Sequence, residues 1–392
     1  MKKKHASFHL KKMLFVGLSH TARDSRLCAF QAKSVRARYP NVECLYLGID
    51  SVNPRRFSNE NMTVIEMPRG INPLKRRFRL DDMAVLARHI QNAGIDLVQI
   101  SDARELMLGH ALKKWTSIPV IYDSHEDYFN QKYEYLNKSI KGLIQGTLCR
   151  ANEILNVRYM DAVFCTDEFL QQLYRMPLFA AKTVTMMRNI PLRETIRSTP
   201  VIHQRDELKL VYLGSVNRLR GIIEVAEYCA RFNLEDAAAR QGLSLSFHVF
   251  SNSNDIIDDL SERGRIVYRG YAPQKEIERE IQNFDIGVSL LLPCKKFARN
   301  IPIKNFEYMA MGLPILTSDF GTMKQYVGEA RAGVMVDPTS YTAFRDGVLM
   351  FKDRDFRRAC GENGLAYARQ HFHRDAEAAV YLDTVGSLLG VS

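Results

Sequence analysis

The sequence is short of several things that would each have fixed its class. Its seven cysteines are scattered, odd in number and free of any Cys-x-x-Cys pair. That excludes a disulfide framework and a structural zinc, and fits a reducing compartment. No run reaches the roughly eighteen apolar residues that a membrane span needs, so any membrane contact is peripheral. The opening MKKKHASFHLKKMLFVGLSH has the basic start of a signal peptide, but its apolar stretch, Met13–Leu18, is only six residues and no small-residue cleavage site follows. A first β-strand is the better reading. The dinucleotide fingerprint G-x-G-x-x-G is absent, which weighs against a dehydrogenase. No Asp-x-Asp stands at a strand end. Asp81-Asp82 and Asp258-Asp259 fall within polar helical stretches, so no metal is expected.

What is present is a chain of 392 residues, 46% hydrophobic and 25% charged, long and apolar enough for two packed cores. Its net charge of +11 attracts nucleic acid, anionic membrane or phosphorylated small molecules. Lys2, Lys3, Lys4, Lys11 and Lys12 open the chain. Lys75, Arg76, Arg77 and Arg79 are interleaved with Leu74, Phe78 and Leu80. That mixture suits a lipid headgroup interface or, more plainly, a solvated helix face.

Short apolar runs alternate with amphipathic stretches. Met13–Gly17, Val42–Leu47, Leu97–Ile100, Val120–Tyr122 and Ala162–Cys165 read as strands, with helices such as Leu27–Arg38 and Asp81–Asn92 between them. A polar, proline-containing piece, Ile190–Asp206, interrupts the pattern and reads as a linker. The pattern restarts with strands Leu208–Gly214, Leu245–Phe250, Ile266–Gly270, Ile286–Leu291, Ile315–Thr317 and Gly333–Val336. The helices Ile222–Arg231, Gln274–Asn283, Asn305–Met311 and Thr342–Phe351 lie between these. Apolar strands alternating with helices imply parallel sheets covered on both faces. The expected fold is therefore α/β, with two doubly wound Rossmann-like domains: an N-terminal domain over residues 1–190, a linker over 191–206 and a C-terminal domain over 207–370. A C-terminal helix over 371–392 would return to the first domain. The default active site is the cleft between the carboxyl ends of the two sheets.

Two segments carry the chemistry. In IPIKNFEYMAMGLPILTSDF, Pro302 sets a turn before a helix that begins near Lys304. A helix start offers free N–H groups and positive potential to a diphosphate, and Lys304 adds a mobile cation. Glu307, one turn on, can accept hydrogen bonds from neighbouring hydroxyls such as those of a ribose. Gly312 ends the helix as a left-handed cap. In VYLGSVNRLRGIIE a strand runs into Gly214, and a loop leads to Arg220 and Gly221 at a helix start. Glycine lets the backbone approach a phosphate, and Arg220 can clamp one with its fork. Alone, Lys304 and Glu307 would read as a surface i,i+3 ion pair. The surrounding Pro302, Tyr308-Met309-Ala310, Gly312 and Pro314 argue for a site.

On these residues the sequence resembles retaining glycosyltransferases of family 4, in the GT-B group, whose motifs are G-R-x5-K-G and E-x7-E. Gly214, Arg220 and Gly221 match the first, with Arg220 in place of Lys and Ser215 in place of the motif Arg. Pro302, Lys304, Glu307, Tyr308, Met309, Ala310, Gly312 and Pro314 match the common variant of the second. Its first Glu falls on Arg299, and Arg299 or Arg218 would instead act on a phosphate or an acidic sugar. The resemblance implies that Arg220 and Lys304 neutralise the donor diphosphate, with Gly214, Ser215 and Arg299 beside it, and that Glu307 holds the ribose. It also implies that His125, in VIYDSHEDYF, contacts the donor sugar. Asp24 and Arg26 match the family's Asp-x-Arg pair, and Asn189 its domain-closing Asn. Asp102 caps the next helix or sits at a strand end facing the site, while Glu126 and Asp127 read as an N-cap cluster.

The implied reaction moves a hexose-type residue from a nucleoside diphosphate sugar to an acceptor hydroxyl, with retention and without metal or other cofactor. The acceptor would be a glycan or lipid-linked molecule in cell-surface polysaccharide or glycolipid synthesis. The enzyme would be cytoplasmic, on the inner face of an anionic membrane, and not bound to nucleic acid. Alternatives are a GT-B-fold UDP-GlcNAc epimerase or a non-catalytic nucleotide-sugar binder.

Overall fold

A computed structural model of the chain describes residues 10–17, 25–51, 56–58, 62–68, 80–136, 138–191, 195–299, 303–372 and 374–391. The chain divides into two compact units, residues 1–189 with 375–392, and residues 190–374. The basic clusters at residues 2–4 and 75–79, together with Asp24 and Pro302, lie outside the described residues.

Unit one is built on strands β1 (Lys11–Gly17), β2 (Val42–Ser51), β3 (Arg56–Ser58), β4 (Thr63–Pro68), β5 (Leu97–Ile100), β6 (Val120–Ser124), β7 (Ala162–Cys165) and β8 (Val184–Met186). They form one sheet in the order β3-β4-β2-β1-β5-β6-β7-β8. Among the described residues only the β3–β4 edge is antiparallel. The central strands β5, β6 and β7 are buried along their whole length. That burial on both faces explains why they read as unbroken apolar runs. Strands β3, β4 and β8 lack that signature and escape the pattern reading. The helix Arg374–Leu389 belongs to this unit. Its Tyr381 is fully buried, donates to Gln99 Oε1 at 2.7 Å and meets the Phe164 ring edge-on at 5.3 Å. Glu377 accepts from Arg188 Nε at 2.6 Å.

Unit two holds β9 (Glu207–Leu213), β10 (Ser244–Phe250), β11 (Val267–Gly270), β12 (Ile286–Ser289), β13 (Ile315–Ser318) and β14 (Gly333–Val336). The sheet is parallel, in the order β11-β10-β9-β12-β13-β14. This is the doubly wound order whose winding reverses between its first and fourth strands, here β9 and β12. The stretch read as a linker is packed on this unit. Arg197 N–H donates to Ala310 O at 2.8 Å and Val201 N–H to Gly312 O at 3.2 Å. The carbonyls at the end of the Ile303–Met311 helix lack intrahelical partners, and this extended segment supplies them. Gly312 takes φ +68° there, the left-handed cap conformation.

Candidate functional site

The reversal of winding sends the helices after β9 and β12 to opposite faces, so the carboxyl ends of these strands form the natural ligand crevice of unit two. β9 runs into Gly214, whose φ of +118° is open to glycine and strained for other residues. The loop beyond is tied down on every side. Gly214 N–H donates to Phe250 O at 3.0 Å. Asn254 Nδ2 donates to Val216 O at 2.9 Å, and Asn217 accepts from Leu219 N–H at 3.0 Å. At the end of the loop, Leu292 N–H donates to Leu219 O at 3.0 Å. Gly221 has φ +70°, and a Cβ there would fall 1.7 Å from Leu290 O. A side chain at this position would lever the loop off the carboxyl end of β12.

The helix Ile303–Met311 closes on the same point through Tyr308. That ring is fully buried. Its hydroxyl accepts from Leu213 N–H at 3.2 Å and lies within 3.3 Å of the carbonyls of Val211 and Val288. Gly287 makes the room, since a Cβ there would stand 2.5 Å from the ring. Tyr308 therefore stitches the helix to β9 and β12 together, which fixes the position of Lys304 one turn earlier.

Lys304 is only 7% exposed. Its ammonium sits 3.5 Å from the centroid of the Tyr212 ring and 3.9 Å from where a side chain on Gly214 would begin. It has no hydrogen-bond partner, and neither has the buried Nε of Arg220. The i,i+3 ion pair with Glu307 is not formed. Burial, reinforced by the Arg220 charge, holds the Lys304 pKa well below the usual lysine value, and Glu307 only partly opposes this. The π face of Tyr212 offers the ammonium some compensation, but far less than a counter-ion would. Arg220 lies 5.2 Å from the Phe297 ring centroid, and Asn305 Oδ1 and Ser289 Oγ are further buried atoms without partners. The half-buried Glu307 has its pKa raised by burial, against the pull of Lys304 and with Glu278 adding repulsion. Two cations without a carboxylate partner among the described residues, beside a glycine turn, form a site suited to an anion.

The structure thus brings Gly214, Ser215, Arg220, Lys304 and Glu307 to one strand-end crevice. Ser215 is exposed there, its carbonyl accepting from Tyr212 Oη at 2.7 Å. Arg299 is the exposed last residue of the short helix Lys295–Arg299, whose Phe297 lies beside Arg220.

His125 follows β6 in unit one, and its Nε2 is 2.9 Å from Asp123 Oδ2. Sequence reasoning gave Asp123 no role, although it stands within the VIYDSHE segment. It is the hub of a buried network. Arg26 grips it with two bonds, Nε at 2.9 Å and Nη2 at 2.6 Å. Gln31 Nε2 donates to it at 2.7 Å. Gln99 Nε2 donates to Gln31 at 2.8 Å, and Tyr381 donates to Gln99. Burial disfavours the Asp123 carboxylate, but Arg26 and His125 outweigh that and hold its pKa far below the usual range. Arg26 is thus committed to Asp123 and the Met187 carbonyl, and it also reaches Asn189 Oδ1 at 3.3 Å. Asp102 accepts from Arg104 N–H at 2.9 Å as an N-cap, and Asp127 caps the helix Tyr128–Tyr135.

Residues 207–351 match the profile of the family described as Glycosyl transferases group 1. The whole chain has the GT-B fold. It superposes on sucrose-phosphate synthase from Thermosynechococcus elongatus with a TM-score of 0.74 at 12% identity, covering 97% of this chain and 100% of that one. HepE from Anabaena, solved with UDP and glucose, gives a TM-score of 0.67 at 14% identity, covering 96% and 100%. An E. coli trehalose-6-phosphate structure bound with UDP-2-fluoro glucose gives 0.66 at 10% identity, covering 97% and 100%. No curated protein matches by sequence. Among the described residues, no helix is long and apolar enough to cross a membrane.

Proposed function

From a second unit that carries a group 1 glycosyl transferase domain, we propose that the chain transfers a sugar from a nucleoside diphosphate sugar to an acceptor hydroxyl. One observation carries this reading: a buried lysine without a counter-ion, reinforced by Arg220, at the winding reversal of a Rossmann-like sheet. A diphosphate brings the negative charge that this crevice lacks. As the glycosidic bond breaks, charge accumulates on the leaving diphosphate. Cations already stripped of water and already in place stabilise that charge more than the ground state. Gly214 admits the phosphates to the backbone, and the first turn of the Ile303–Met311 helix points its free N–H groups the same way. Glu307 accepts from the ribose hydroxyls. His125, oriented by Asp123, acts on the donor sugar. Transfer proceeds with retention and without metal, to a glycan or lipid-linked acceptor in cell-surface polysaccharide or glycolipid synthesis, in the cytoplasm.

The test is a thermal-shift screen of nucleoside diphosphates, followed by incubation with labelled UDP- and GDP-sugars. The reading expects one diphosphate to raise the melting temperature, because a ligand of the folded state stabilises it, and labelled sugar to appear on an acceptor. Binding without turnover would make the chain a nucleotide-sugar binder, and an epimerised sugar would make it an epimerase.

A further inference from the structure

The helix Ile140–Asn156 in unit one is built inside out. Its covered side carries Gly142, Gly146 and Glu153, all buried. The two glycines let it lie directly on the helix Tyr128–Tyr135. A Cβ on Gly146 would stand 2.8 Å from Phe129 O, and one on Gly142 3.2 Å from Lys132 O. The outer side carries Ile140, Leu143, Ile144, Leu148 and Leu155, which are 46–78% exposed. Their offsets of three, four, eight and fifteen residues from Ile140 place them on one stripe. Scattered apolar residues on a surface need no explanation, but a contiguous stripe does.

The charge around the stripe decides its occupant. Glu153 is the helix's only acid, and it is buried on the far side. Lys138, which pairs with the buried Glu134 at 3.7 Å, and Lys141 are exposed at one end and Arg158 at the other. A second copy of the chain docked on this face would bring only cations against cations, whereas an anionic bilayer surface complements all three. We propose that the Ile140–Asn156 face is a membrane-docking surface that lies flat in the headgroup layer, with Leu and Ile side chains inserted and the lysines and arginine on lipid phosphates or carboxylates. It shares no residue with the basic stretches at residues 2–12 and 75–79 or with the donor crevice, so its failure would leave the transferase reading untouched.

The experiment is co-sedimentation of the full chain with vesicles of neutral phosphatidylcholine or of phosphatidylcholine with one-third phosphatidylglycerol. The proposal expects binding to the anionic vesicles that weakens as salt is raised. A triple variant, Leu143→Ser, Ile144→Ser, Leu148→Ser, should lose binding at least ten-fold while still unfolding cooperatively, because none of the three belongs to the buried core. A Lys138→Gln, Lys141→Gln pair should lose binding several-fold on anionic vesicles. Equal binding by the parent and the triple variant would overturn the proposal. So would a dimer in light scattering that the triple variant dissolves, since the face would then belong to a second copy.

Discussion

Replacing Lys304 by Met should have opposite effects on the empty and the loaded protein. The methionine keeps most of the volume and removes a buried cation that has no partner. Exchanging even a buried ion pair for apolar side chains of similar size is often neutral or stabilising by about 1–4 kcal/mol, and an ion without a partner has less to lose. The low end applies here, because the Tyr212 ring already offsets part of the cost of burying the ammonium. About 1 kcal/mol raises the melting temperature of a unit of this size by about 2–4 °C. The sign of the pH dependence follows from the lowered Lys304 pKa. Between the folded and unfolded values the unfolded chain binds the extra proton, so the parent's stability rises with pH across that window and declines as pH falls through it. The variant should lose that slope. A bound diphosphate restores the proton, so affinity should move the other way and fall as pH rises. Losing charge-assisted bonds to phosphate costs about 1.5–3 kcal/mol, or roughly 10–100-fold in affinity. Differential scanning fluorimetry from pH 6 to 10, with and without nucleoside diphosphate, reads both effects. A variant less stable than the parent when empty, yet shifted as much by nucleotide, would refute the reasoning.

Other predictions follow from the same geometry. Glu307→Gln should weaken a ribonucleoside diphosphate by roughly ten-fold or more and leave its 2′,3′-dideoxy analogue unchanged in calorimetry, because the lost acceptor serves the hydroxyls. Gly221→Ala should cost at least about 1–3 kcal/mol from the left-handed backbone alone, with the Leu290 collision added, and should be read as a lowered denaturation midpoint. Asp123→Asn should destabilise the protein by about 3–5 kcal/mol by stranding the Arg26 guanidinium, measured by urea denaturation.

Much of this was legible in the sequence because burial leaves a periodic mark. The central strands are covered on both faces and so read as apolar runs. The Ile303–Met311 helix announced itself by the proline before Lys304 in the sequence and the glycine after Met311. Strands β3 and β8 are the two edges of the sheet and β4 lies next to β3; none of the three is an unbroken buried run, and they left no such trace. Asp123 was invisible because its partners, Arg26, Gln31 and His125, come from elements far apart in sequence. The Ile140–Asn156 helix misleads in a different way. Ile and Leu at helical spacing normally mark the buried side, and only the close approach of Gly142 and Gly146 to a neighbouring helix shows that this side faces out.

The most direct measurement is a crystal structure of the chain soaked with the nucleoside diphosphate that most raises its melting temperature. The account predicts the two phosphates beside Gly214, with Lys304 Nζ and the Arg220 guanidinium at hydrogen-bonding distance and the ribose on Glu307. A diphosphate bound elsewhere, with the Lys304 ammonium still unpartnered beneath Tyr212, would contradict it.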